Sequence, residues 1–296
     1  TITTTAIPNP VNEKDNNPSE HYSLYNSDSA YGIRNFTVKN ANDSIPIFVE
    51  EIGDPKNPTV IFLHGFLYFR LIFNPVFKNE FLYKNFHLVR FDSRGVLDSG
   101  KPTDPNQYTL DHHAQDLKAV VDAITNANPG KKITLVGWSL GVAISTLYLG
   151  TFGQDKVNGF LTIGAKLEST AFDSTLLASI PQTTDYQEVI ESRYASPNFL
   201  IGKDRPPLSE ETALFFLGGT ALTSTVYPKP TITSLLILHG GSDQVVPTIV
   251  SEHFLAEVKY GKRIVYAESG HLLFWEEPER FAKDLKEFVM FVNKKN

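Results

Sequence analysis

The sequence predicts an α/β fold: a doubly wound, mostly parallel sheet carrying an inserted helical lid. Three observations lead there. Short and nearly uninterrupted apolar runs recur along the chain, as in strands buried on both faces. Segments of helical period separate these runs, which implies right-handed crossovers with helices on both sheet faces. One connection, spanning 166–231, is far longer than the few residues that usually join a helix or strand to its successor.

In chain order, residues 1–30 are rich in Thr, Asn, Ser and Pro and lack hydrophobic periodicity, so they read as an N-terminal arm. Ile33 to Lys39 and Ile45 to Ile52 alternate apolar and polar residues, the pattern of a half-buried antiparallel hairpin turning at Asn40 to Asp43. Thr59 to Leu63 and His87 to Phe91 follow as buried parallel strands. Leu117, Val120, Val121 and Ile124 recur at helical spacing after the acidic Asp111, which predicts a helix over Leu110 to Ala127. Another strand, Ile133 to Gly137, leads at once into Ser139 and a helical run from Leu140 to about Leu149. Strands over Val157 to Ile163, Ser234 to Leu238 and Ile264 to Tyr266 complete the sheet, with a helix over Thr248 to Lys259 between the last two. The insertion carries apolar clusters such as Leu214-Phe215-Phe216-Leu217 punctuated by Pro181, Pro197, Pro206 and Pro207, as expected of short lid helices over the strand ends. The division is thus an arm over 1–30, a core over 31–165 and 232–296, and a lid over 166–231.

Composition narrows the function. With 41% hydrophobic and 20% charged residues, the 296-residue chain has enough apolar material for one large core with an inserted cap. A net charge of -6 with scattered Lys and Arg offers no basic stripe for nucleic acid. No run of eighteen apolar residues occurs, so no membrane span is expected. The absence of cysteine excludes disulfides, thiolate metal sites and a cysteine nucleophile. Adjacent His112 and His113 face different sides of a helix and make a poor metal pair, and no phosphate-binding glycine loop follows a strand. Neither metal nor cofactor is expected. The chain opens on Thr rather than Met and carries acceptor patterns at Asn35-Phe36-Thr37 and Asn42-Asp43-Ser44, which tilts the expected compartment toward secretion.

Chemistry concentrates at Gly137-Trp138-Ser139-Leu140-Gly141, a G-x-S-x-G pattern between a predicted strand and a predicted helix, the context that a nucleophile elbow requires. Glycines two positions to either side remove side chains that would strike the neighbouring strand and helix. A serine hydroxyl needs a base within hydrogen-bond reach, and the base needs a third group to fix its tautomer. On such a turn the partners follow in the order serine, acid, histidine. His271, in the loop after the last strand, suits the base; His253 falls inside a predicted helix. Asp243, just past the strand Ser234 to Leu238, suits the acid, with Glu168 after the preceding strand as its rival. The oxyanion of a tetrahedral intermediate needs two backbone donors, expected from Leu140 and from Phe66 in the loop His64-Gly65-Phe66-Leu67. His64 itself is expected to brace that loop. Tyr68, Phe69, Trp138 and Leu272 neighbour these positions and, with Phe215 and Phe216 from the lid, are candidates for an apolar substrate pocket.

Together, His64-Gly65-Phe66, Asp92-Ser93-Arg94-Gly95 through Ser99 to Pro102, the Ser139 pentapeptide, the Asp243 segment and Gly270-His271 resemble the α/β-hydrolase superfamily. The spacing is similar to its branch of arylesterases and cofactor-free haloperoxidases, over residues 33–165 and 231–293. The resemblance implies an eight-stranded sheet and hydrolysis through an acyl-enzyme. Two positions depart from it. Leu97 stands where relatives carry a second glycine, and leucine resists positive φ; Val142 stands where relatives repeat glycine after the elbow.

The reading that follows is a serine hydrolase of small to medium apolar esters or lactones. Perhydrolysis, acyl transfer and hydrolytic carbon–carbon cleavage use the same residues. A small-molecule receptor that keeps the triad but turns over slowly is the alternative of a different class. Oligomeric state is open.

Overall fold

The computed structural model describes residues 31–66, 68–164, 234–243, 245–258 and 260–294. The N-terminal arm, the lid over 166–231 with Phe215 and Phe216, and the rival acid Glu168 lie outside the described residues.

Eight strands form one sheet in the order β1-β2-β4-β3-β5-β6-β7-β8. They are β1 (Arg34–Lys39), β2 (Pro46–Ile52), β3 (Thr59–Leu63), β4 (His87–Phe91), β5 (Ile133–Trp138), β6 (Val157–Ile163), β7 (Leu235–Gly240) and β8 (Lys262–Tyr266). The hairpin β1-β2 pairs antiparallel, β2 pairs antiparallel with β4, and every later pairing is parallel. This is the doubly wound, mostly parallel sheet that the alternation of elements predicts.

Because successive strand residues face opposite sides, the sheet sorts its side chains into two cores. Ile61, Leu63, Ile133, Leu135, Phe160 and Ile237 meet α3 (Leu110–Ala127), α4 (Leu140–Phe152) and α5 (Thr248–Glu257) on one face. Val60, Phe62, Val136, Trp138, Leu161 and Leu238 meet α1 (Asn74–Phe77), α2 (Glu80–Asn85), α6 (Leu273–Glu276) and α7 (Pro278–Lys294) on the other. Four helices, α1, α2, α6 and α7, were not expected from the sequence: the first three are too short to show a 3.6-residue repeat, whereas α7 buries Phe281, Leu285, Phe288, Val289 and Val292 at helical spacing, a local signal that was there to be read. The other boundaries shift by a few residues at element ends, where fraying makes assignment least determinate. No described helix is long and apolar enough to cross a membrane.

Buried ion pairs tie the loops at the sheet's active edge to the framework. Arg94 bridges Asp116 on α3 and Asp43 in the β1-β2 turn, and Asn40 donates to the same Asp116 at 2.7 Å. Arg70 reaches Glu50 at 3.0 Å and Asp98 at 2.8 Å and also pairs with Asp92, so the loops after β3 and β4 share one cation. Removing one member of such a set leaves a buried charge uncompensated, which costs on the order of 3–5 kcal/mol. This clamp also accounts for Leu97, which adopts φ 37° despite its Cβ. Backbone bonds Gly95 N–H to Gly100 O (2.8 Å) and Ser99 N–H to Val96 O (2.9 Å) over-determine the loop around it.

Candidate active site

β5 delivers the elbow. Ser139 follows Trp138 directly, at φ 52° and ψ -117°, and its own N–H is held by Ile163 O of β6 at 2.9 Å. Such a conformation costs roughly 1–3 kcal/mol for a non-glycine residue and persists only where the surroundings enforce it. Here the two flanking glycines permit it. A Cβ at Gly137 would lie 2.7 Å from Gly141 O, and one at Gly141 would strike the Leu63 carbonyl of β3; both obstacles are backbone and cannot yield. Ser139 is half-buried between buried neighbours, at the N-terminus of α4.

The loop after β3 passes directly beside it. A Cβ added at Gly65 would come within 3.1 Å of Ser139 Cβ and 2.9 Å of the Trp138 ring, so the Gly65–Phe66 backbone runs against the elbow. His64 holds this loop from below. Its Nδ1 lies 2.9 Å from Gly65 O, a carbonyl that only accepts, and its Nε2 takes the Ser93 N–H at 3.0 Å. Both ring nitrogens are therefore satisfied in the neutral tautomer.

Burial lowers the His64 pKa from 6.5 to about 4, with Arg70 adding to the effect and the Gly65 carbonyl opposing it. Burial likewise lowers His113 and His239. As pH falls through 6.5 the unfolded chain takes up protons at these positions while the folded one does not. Stability is thus full above that pH and is lost as pH falls toward 4. His64 alone accounts for roughly 3 kcal/mol of the loss. Thermal melts from pH 7.5 to 4 are expected to show the decline, and His64→Gln is expected to flatten it; an unchanged slope in the variant would refute the assignment.

On the far side of the elbow, His271 Nδ1 lies 2.7 Å from Asp243 Oδ2. The second carboxylate oxygen accepts the N–H groups of Val245 (2.8 Å) and Val246 (2.9 Å). Burial pushes the Asp243 pKa up, but the His271 charge and hydrogen bond, with the Val246 N–H, outweigh it and hold the group below the usual carboxylate value. The His271 loop is anchored in turn: Trp138 Nε1 donates to His271 O at 2.8 Å, and Gly270 N–H donates to Glu276 Oε2 at 2.8 Å.

The structure brings Ser139, the Phe66 loop, Asp243 and His271 to one edge of the sheet, at the carboxyl ends of β5, β3, β7 and β8. Tyr68, Trp138 and Leu272 lie in the second core, with Tyr68 edge-on to Trp138 at 4.8 Å between centroids. Phe69 is buried as well. His253 is exposed on α5. His112 Nδ1 bonds Thr109 Oγ1 at 2.7 Å while His113 is buried, so the adjacent pair diverges as its spacing predicts. Among the described residues no group of three His, Asp or Glu side chains could hold a metal ion.

Sequence reading did not single out two positions. Gly164 directly follows β6 with φ 60°, and a Cβ there would lie 2.9 Å from His271 Nδ1 and 3.2 Å from Asp243 Oδ2. A glycine right after a strand at this edge is the signal that could have marked it. His239, four residues before Asp243, is fully buried with Nε2 3.5 Å from Asp243 Oδ2.

Residues 58–196 match the family described as the alpha/beta hydrolase fold. The chain is 27% identical to the AB hydrolase superfamily protein YisY of Bacillus subtilis, across 83% of this chain and 96% of that protein. It is 26% identical to the bifunctional esterase/perhydrolase DCH of Acinetobacter calcoaceticus, across 83% of this chain and 97% of that one. A crystal structure from Burkholderia cenocepacia assigned to the aryl esterases superposes at a TM-score of 0.68 with 28% identity, covering 88% of this chain and 100% of its own. With an eight-stranded sheet of this order and relatives that match nearly end to end, the chain has the α/β-hydrolase fold.

Proposed function

We propose that the protein hydrolyses small to medium apolar carboxylic esters or lactones through an acyl-enzyme. The observation that carries this reading is the 2.7 Å contact between His271 Nδ1 and Asp243 Oδ2 at the sheet edge that also presents Ser139 on its strained turn. Asp243, ionised and held by two backbone N–H groups, keeps the proton of His271 on Nδ1. The Nε2 lone pair then faces outward as the base.

In the first half-reaction Ser139 Oγ attacks the ester carbonyl as its proton passes to His271 Nε2. The Phe66 and Leu140 amides hold the resulting oxyanion. Collapse expels the alcohol, which receives that proton. Water then attacks the acyl-enzyme, gives a proton to Nε2, and the second collapse returns it to Ser139 while the acid departs. In this reading the lid over 166–231 closes the pocket. Phe69, Phe215 and Phe216 line it, while Tyr68, Trp138 and Leu272 support it from the core.

A series of aryl esters from acetate to octanoate tests the proposal. Linear steady-state release over many turnovers is expected. A single burst equal to the enzyme concentration, with nothing after it, would point to the slow receptor instead. The likeness to an esterase/perhydrolase favours one second reading, perhydrolysis. Adding hydrogen peroxide to the same assay and measuring peracid separates the two.

A further inference from the structure

A second imidazole lies against the acid. His239 sits near the end of β7, opposite Val265 of β8, and its side chain is fully buried. Its Nε2 is 2.8 Å from Val246 O. A carbonyl only accepts, so Nε2 carries the hydrogen and the neutral ring leaves Nδ1 as a bare lone pair. That Nδ1 is buried without a hydrogen-bond partner among the described residues.

Val246 is the residue whose N–H, at 2.9 Å, helps hold Asp243 Oδ1. One residue is therefore gripped at both ends: its N–H by the acid and its C=O by His239. The ring also reaches within 3.5 Å of Asp243 Oδ2, the oxygen that faces His271. We infer that His239 is a positioning residue for the acid: it fixes the 243–246 turn through Val246 O, so that Asp243 Oδ2 stays aimed at His271. This rests on the triad reading above.

The charged groups around the ring fit that role. Burial holds His239 below its usual pKa, with His271 and Arg263 pushing the same way against the Val246 carbonyl and Asp243. The ring therefore stays neutral while His271 cycles. A cation there would compete with His271 for one carboxylate oxygen. A buried polar atom with no partner costs stability, and a leucine or valine would avoid that cost in a strand.

The test compares His239→Gln with His239→Asn in the full chain. Glutamine carries an amide donor at the reach of Nε2, whereas asparagine places it at the reach of Nδ1, away from Val246 O. For the Asn variant we expect kcat to fall roughly 10- to 100-fold with KM within about twofold, the scale on which outer-shell hydrogen-bond partners act. The acid limb of its kcat/KM profile should move to lower pH by about one unit, because a loosened Asp243 stabilises the His271 cation less. The Gln variant should stay within about threefold of the parent with its limb unmoved. Equal activity and equal profiles in the two variants would overturn the inference, as would equal losses that track melting temperature with no movement of the limb. Ser139→Ala, run alongside, reports separately on the triad. If it keeps full turnover, the reading of the site has failed rather than the role of His239.

Discussion

Ser139→Ala is expected to abolish labelling by a fluorophosphonate probe and to lower ester turnover on the order of 10⁶-fold, the scale seen when the nucleophile of a serine triad is removed. The size follows from the chemistry. In the proposed mechanism, loss of Oγ leaves no acyl-enzyme, and the remaining oxyanion donors would act only on direct attack by water. Alanine also fits the site, since it keeps the Cβ already present in the strained turn and deletes one hydroxyl. The variant is therefore expected to melt close to the parent. Mass spectrometry of the labelled protein places the adduct. Modification of another residue, with activity retained in the variant, would reject the elbow serine.

Asp243→Asn is expected to fold and to lose kcat on the order of 10⁴-fold, as in the serine-protease precedent. The side chain keeps its volume and its Oδ1 still accepts from Val245 and Val246. What changes is the atom facing His271. An amide N–H there would donate to Nδ1 and drive the imidazole proton to Nε2, the atom that in the proposed mechanism receives the proton of Ser139. Glu168→Gln serves as the control and is expected to retain activity. If that variant loses kcat instead while Asp243→Asn does not, the acid was misassigned.

The sequence alone sufficed for the elements whose signal is local. Strand runs such as Ile133 to Gly137 and the helix over Leu110 to Ala127 are written in spacing, because side-chain period follows directly from backbone geometry. The elbow could be read for the same reason: Gly137 and Gly141 lie within two residues of the serine whose turn they permit. Chain order was enough to nominate His271 and Asp243, since each follows a strand and all strands after β2 end at one edge.

Other features depended on contacts between residues far apart in the chain, which spacing does not encode. The Trp138 indole, read from its position as pocket lining, donates to a carbonyl 133 residues away and anchors the His271 loop. Gly164 must lack a side chain because β6 lies between β5 and β7, which brings the His271–Asp243 pair over its Cα. Leu97 occupies a backbone region that its residue type disfavours, held there by a loop clamped through Arg70 from the segment after β3. His239 reads as one more strand residue until β7 and the turn after it fold its ring against Val246 and Asp243. Local propensity chose the elements. Which side chains meet at the edge was decided by sheet order and burial, because desolvation and hydrogen-bond satisfaction depend on neighbours that only the folded chain supplies.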